Sequence, residues 1–225
     1  MLTAAVVSMG LLAGCSSSTA RPAATPAASS TSSTTPAAAA GARSDSECGL
    51  PDVQMSGTVT TAPPAAWELL GSVMVPTSPQ AGPGRVDTDG VRHCYARTPT
   101  GAVFAAVGFV GAAMTLSVER SAVAKLTVPE AARKAALATL DAGTDDGKSP
   151  YRAVFAGFRL MSYDGSTAAV DVAFTLPAMG RSGAQMVNLV WQDGDWRVQL
   201  DAEGHMPTPT LLVSTSTYVQ FGAGS

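Results

Sequence analysis

Thr167-Ala-Ala-Val-Asp-Val-Ala-Phe-Thr-Leu176 is the stretch that decides the fold. Ala168, Val170, Val172, Phe174 and Leu176 alternate with Thr167, Asp171 and Thr175, the period of two that marks a strand with one buried face. Asp164-Gly165 supplies a turn before it, so residues 151–163 are predicted to be its antiparallel neighbour. Downstream, residues 184–192 and 195–200 flank Asp193-Gly194, the strongest short hairpin signal. Within the last of these, Trp196, Val198 and Leu200 are expected to face the core, with Arg197 and Gln199 on the opposite face.

Upstream, residues 67–75 are predicted to form one strand stopped by Pro76, and the prolines and glycines of 76–84 a loop. Residues 85–96 hold the Asp89-Gly90 turn and a short strand over Val91–Ala96. The uncharged run 101–118 reads as a buried core helix capped by Thr100. Its length touches the lower limit for a membrane span, but its Ala and Gly residues gain little from lipid. Thr127-Val-Pro-Glu130 has capping-box spacing and predicts a second helix, with Ala131, Ala132, Ala135, Leu137 and Leu140 as its apolar surface and Gly143 as its stop. Residues 143–150 are expected to be a polar loop. These elements predict an α+β fold, a curved antiparallel sheet packed on N-terminal helices.

The amino terminus carries a different signal. An apolar stretch from Leu2 to Leu12 ends in Leu12-Ala13-Gly14-Cys15, which resembles the lipobox of bacterial lipoproteins. The resemblance implies that residues 1–14 are a signal peptide removed before Cys15. Cys15 then carries fatty acyl chains such as palmitate, and more than one chain gives a stable anchor. No side-chain charge precedes Arg21, so the leader is expected to be truncated, with the start codon upstream. Between Ser16 and Ala42 every residue except Arg21 and Gly41 is Ser, Thr, Ala or Pro. Such a segment lacks the apolar bulk to offset the entropy of ordering. Residues 15–46 are therefore read as a disordered tether, spanning roughly 30 Å as a flexible coil and about 95 Å stretched. Residues 47–225 remain as a single domain.

The chain has three cysteines. With Cys15 given to lipid, Cys48 and Cys94 are expected to form a disulfide, as two cysteines in an exported domain usually do. His93 adjoins Cys94, but a zinc site needs three or four ligands, and the only other histidine is His205. No metal or cofactor is expected. A net charge of −3 with 14% charged residues argues against a nucleic-acid partner, which would require a basic face.

The string Val190-Trp-Gln-Asp-Gly-Asp-Trp-Arg-Val198 resembles the last hairpin of nuclear-transport-factor-2-like (cystatin-like) domains. Trp67…Val75-Pro76 with Gly82-Pro83, the run Tyr95–Ala106, and Tyr218-Val-Gln-Phe-Gly222 resemble uncharacterised actinobacterial lipoproteins of integrative and conjugative elements. The resemblance spans about residues 50–222, and its motifs are structural. It implies helices packed on a bent sheet and a role as an assembly or scaffold part at the membrane. Enzymes of the wider superfamily carry an Asp–His or similar dyad in the sheet's cavity. Asp171 falls on the polar side of its strand and His93 and His205 fall outside the meander, so that dyad does not carry over. Asp193 and Asp195 read as turn residues, and Trp191 and Trp196 as core or cross-strand partners.

No catalytic residue is assigned. The expected protein is a non-enzymatic accessory lipoprotein, anchored on the extracytoplasmic face of the cell membrane and working through protein contacts, as in a conjugative transfer system. The alternative is a small-molecule-binding protein or enzyme with a cavity under the curved sheet. Under the first reading Val170, Val172, Phe174 and Val198 fill the interior. Under the second, a polar group points into an open pocket.

Overall fold

The computed structural model describes residues 46–143 and 152–224. The expected signal peptide, Cys15 and nearly all of the expected tether lie outside the described residues, as does most of the expected loop 143–150. The fold is α+β. In chain order the strands β1 (Ala66–Leu70), β2 (Val73–Thr77), β3 (Arg85–Val86) and β4 (Arg92–His93) precede the helices α1 (Pro99–Ala113) and α2 (Leu116–Leu126). The short strand β5 (Thr127–Val128) leads into α3 (Glu130–Ala142). The sheet strands β6 (Val154–Tyr163), β7 (Thr167–Leu176), β8 (Arg181–Gln192) and β9 (Asp195–Gln199) follow, then β10 (Thr210–Leu212) and β11 (Val219–Gln220). The helices thus sit mid-chain, behind two small hairpins, and not at the N-terminus of the domain.

The main sheet runs β11-β6-β7-β8-β9-β5, with β10 also paired to β8. Its contacts are antiparallel except for β5, which lies parallel to β9. Both hairpin turns of the meander form where Asp164-Gly165 and Asp193-Gly194 place them, with Gly165 and Gly194 at positive φ. Ala168, Val170, Val172 and Phe174 of β7 are buried, as are Trp196 and Val198 of β9, so the inward rows of these two strands are the ones expected.

Strand β6 follows a different rule. Its register with β7 shifts between Phe155 and Gly157 and again between Leu160 and Ser162. Each bulge adds a residue and bends the strand. Phe155 and Phe158 are three residues apart, yet both lie opposite inward residues of β7 (Phe174 and Val172) and both are buried. The two bulges therefore keep an aromatic row inward while the sheet curves.

Four local readings are corrected. Residues 67–75 are not one strand: Leu70 pairs with Val73 across Gly71-Ser72, and Gly71 takes φ +60°, so β1 and β2 form a hairpin in which Pro76 opposes Trp67. The central helix is capped by Thr98, whose Oγ1 accepts from the Gly101 N–H at 2.9 Å; Thr100 lies inside it. It also ends at Ala113, and a separate helix α2 starts at Leu116. The Thr127–Glu130 capping box does not form. Thr127 instead belongs to β5 and its hydroxyl donates to the Val123 carbonyl at 2.7 Å, while Glu130 pairs with Lys134 at 2.9 Å.

Helix α1 is buried over almost its whole length and forms the core with the sheet. Its glycines permit that depth. A Cβ on Gly111 would meet Val75 at 2.5 Å, and one on Gly108 would collide with the Tyr95 hydroxyl. Among the described residues no helix is long and apolar enough to cross a membrane.

Candidate functional site

Three polar clusters, a cavity and an apolar edge are the features that chemistry or recognition could use. The deepest polar group is Asp195. It is fully buried, and its carboxylate accepts from the backbone N–H groups of Cys94, Tyr95 and Trp196 at 2.8, 2.8 and 2.9 Å. Burial pushes its carboxyl above the ordinary range, outweighing the donors that pull it down. Trp196 Nε1 donates to the Ala96 carbonyl at 2.9 Å in the same seam. Asp195 is thus not a turn residue. It clamps the 94–96 segment onto β9 and holds Cys94 at φ +68°. The neighbouring Asp193 does sit in the turn, at φ +53°.

The bridge Cys48–Cys94 is formed, with Cα atoms 5.7 Å apart. It ties the start of the described chain to the clamped segment. Beside it, His93 Nε2 meets Asp87 Oδ1 at 3.0 Å. His205 is exposed near Asp201, at 3.8 Å, and far in sequence from either feature.

Asp171 is the second correction. It does lie on the outer face of β7, but that face is covered and the residue is buried. Its cross-strand partner Arg159 donates to Oδ2 at 2.6 Å, and the Tyr218 hydroxyl donates to the same oxygen at 2.6 Å. The Arg159 guanidinium lies 4.2 Å from the centre of the Tyr218 ring. Burial, with Asp171 beside it, pushes the Tyr218 phenol up to about 12. The C-terminal segment therefore docks on the sheet through one shared carboxylate. Asp171→Ala removes the acceptor of both donors, leaving Arg159 only its 3.0 Å bond to the Tyr218 hydroxyl, and is expected to cost about 1.5–3 kcal/mol, the range for hydrogen bonds to a charged group. Urea unfolding compared with Tyr218→Phe, which removes a single donor, checks this.

Trp191 and Trp196 are cross-strand partners, edge to face at 5.2 Å, with the Arg97 guanidinium 5.4 Å from the Trp191 ring centre. This is the arrangement of a packed aromatic pair.

A cavity of about 320 Å³ opens between the helices and the 200–209 segment. Phe109, Val123, Leu140, Leu200 and Met206 make its wall largely apolar. The inward residues of β7 are apolar as the alternation implies, but β8 contributes Gln185, buried at the cavity. The Gln185 amide is already engaged: Nε2 donates to the Met186 and Pro207 carbonyls at 2.9 and 2.8 Å.

The apolar edge lies at the far end of the sheet. Phe174, Gly183 and Leu211 are successive neighbours across β7, β8 and β10. Gly183 lets the Phe174 ring lie across it; a Cβ there would approach within 3.1 Å. Leu211 is 74% exposed and Val213 fully exposed, while Leu176 and Met179 line the same shallow hollow with Phe174. Sequence reading missed this surface because 201–217 shows no periodicity, and Leu211-Leu-Val213 was its one available signal.

No curated protein and no solved structure matches the chain. Residues 24–220 match the model of the family described as Domain of unknown function (DUF8175). That match covers well over half of the sequence, and the chain belongs to this family.

Proposed function

We propose that this protein is a non-enzymatic accessory or scaffold lipoprotein, anchored through Cys15 on the extracytoplasmic face of the cell membrane and acting through protein contacts within a conjugative transfer system. Its domain is of the nuclear-transport-factor-2-like kind. The observation that carries the reading is the apolar sheet edge. The three-residue strand β10 bears Leu211 and is followed by Val213, both large apolar side chains left exposed, and among the described residues it pairs with β8 alone. Soluble surfaces rarely leave such an edge unblocked, and a partner strand added there gains main-chain hydrogen bonds and the hollow beside Phe174. The buried polar groups, by contrast, are spent on structure: Asp195 on the 94–96 clamp and Asp171 on the C-terminal segment. The lipobox and the tether supply the address and the reach.

The test is co-purification from membranes of the native host. Leu211→Asp leaves stability within about 0.5 kcal/mol, as for exposed sites, and cuts recovery of the bound partner tenfold or more, the behaviour of a hot-spot residue. Cys15→Ala, made with the natural upstream start restored, moves the protein to the soluble fraction. Equal recovery with Leu211→Asp removes the edge from the account, and unchanged membrane partitioning of Cys15→Ala removes the anchor.

The cavity favours a second reading, a small apolar ligand held between the helices. Ala113→Leu narrows that space. It leaves partner recovery unchanged under the first reading and abolishes function under the second.

A further inference from the structure

One cluster has no role in the contacts proposed above. Glu47, His93 and Cys94 bring a carboxylate oxygen, an imidazole nitrogen and a sulfur within 4.8 Å of one another. Cys48 joins them through the bridge, so a second sulfur occupies the same place. His93 Nδ1 lies 3.4 Å from Cys94 Sγ. Two ligands at Zn–N and Zn–S bond lengths of about 2.0 and 2.3 Å, set at the tetrahedral angle, stand about 3.5 Å apart.

A second observation concerns the other ring nitrogen. His93 Nε2 meets Asp87 Oδ1 at 3.0 Å, and Lys125 holds the second Asp87 oxygen at 2.6 Å. A carboxylate at Nε2 keeps the proton there and leaves the Nδ1 lone pair toward Cys94 Sγ. This is the outer-shell arrangement that orients metal-binding histidines. The frame is fixed from the backbone side as well: the Glu47 N–H donates to the Gly194 carbonyl at 2.9 Å, and Asp195 receives the Cys94 N–H at 2.8 Å. Cys94 is buried, His93 is half-buried and Glu47 is exposed, so a cation can enter from the Glu47 side.

We propose that reduction of the Cys48–Cys94 bridge uncovers a Zn²⁺ site made of the two thiolates, His93 Nδ1 and the Glu47 carboxylate. The reductant is a dithiol. It passes two electrons and two protons to the bridge and leaves as its own disulfide. Zn²⁺ then displaces the two thiol protons as it binds, since only thiolates ligate. Two thiolates, an imidazole and a carboxylate are a donor set that zinc accepts in tetrahedral geometry. The bridge is thus one of two closed states of the same locus, locked by sulfur when oxidised and by metal when reduced.

The test uses the full chain carrying Cys15→Ala, so that Cys48 and Cys94 supply the only thiols. Zn²⁺ is titrated against a chromophoric chelator before and after reduction, and Co²⁺ is used as a spectroscopic probe. The reduced chain is expected to bind one equivalent of Zn²⁺ and to give thiolate-to-Co²⁺ charge-transfer bands with a tetrahedral visible spectrum; the oxidised chain gives neither. Asp87→Asn, which touches no metal, is expected to weaken Zn²⁺ binding by about 10–100-fold, the usual cost of losing an outer-shell partner. His93→Gln should weaken it at least as much. Absence of Zn²⁺ binding by the reduced chain overturns the proposal, as does an affinity unchanged in both His93→Gln and Glu47→Gln. A reduced chain that unfolds and that Zn²⁺ does not refold overturns it too.

Discussion

Replacing Asp195 with alanine is expected to lower the stability of the domain by about 3–5 kcal/mol, because three N–H groups lose their acceptor at once in a buried seam. The loss should be visible in urea unfolding and should release the 94–96 segment, whose amides exchange faster as a group. Asp195→Asn keeps one acceptor oxygen but turns an amide N–H₂ toward backbone donors, so it recovers only part of the loss. The pH dependence has a definite sign. Burial holds the Asp195 carboxyl above its ordinary range in the folded state. The folded protein therefore keeps this proton more tightly than the unfolded chain, whose carboxyl titrates near pH 3.9. The group's contribution to stability is greatest below that value and falls as pH rises through the folded value. Between acid and neutral pH, the stability difference between wild type and Asp195→Asn should shrink as pH rises. A difference that grows instead would place the carboxyl below its ordinary range.

Removing the Cys48–Cys94 bridge has a comparable effect through the unfolded chain. The bridge spans a sequence separation of 46. In the chain-entropy treatment a loop of that size is worth about 4 kcal/mol, with wide scatter among measured cases. The double variant Cys48→Ser, Cys94→Ser should lose most of that in urea unfolding without changing its far-ultraviolet circular dichroism. The clamp and the bridge meet at Cys94. Combining Asp195→Ala with the loss of the bridge should therefore be non-additive, since both restrain the same segment. A strictly additive pair would show that they act independently.

The residues explain why part of this fold was legible in the sequence and part was not. Strand β7 was legible because its alternation is unbroken, and the two Asp-Gly turns because they sit between strands. The inward row of β6 was not, since two bulges separate Phe155, Phe158 and Tyr163 by odd intervals. The β1–β2 hairpin was hidden inside an apolar run in which Gly71-Ser72 reads as part of one strand. Asp195 follows a turn and looks like a turn residue. What buries it is a segment a hundred positions earlier, which no local pattern announces. Asp171 reads correctly as a residue of the polar face, but the alternation does not show that this face is covered, because the cover arrives from Tyr218 at the far end of the chain. The apolar edge at Leu211 belongs to the same class, set by the pairing of a three-residue strand with the start of β8.

The central claim, recognition of a protein through the β10 edge, is tested most directly by site-specific photo-crosslinking in the native host. A photoreactive residue is placed at Leu211, and in a second strain at Thr139 on the rim of the cavity. The account predicts one discrete protein adduct from position 211 and none from position 139. Adducts from position 139 alone, or none from position 211, would contradict it.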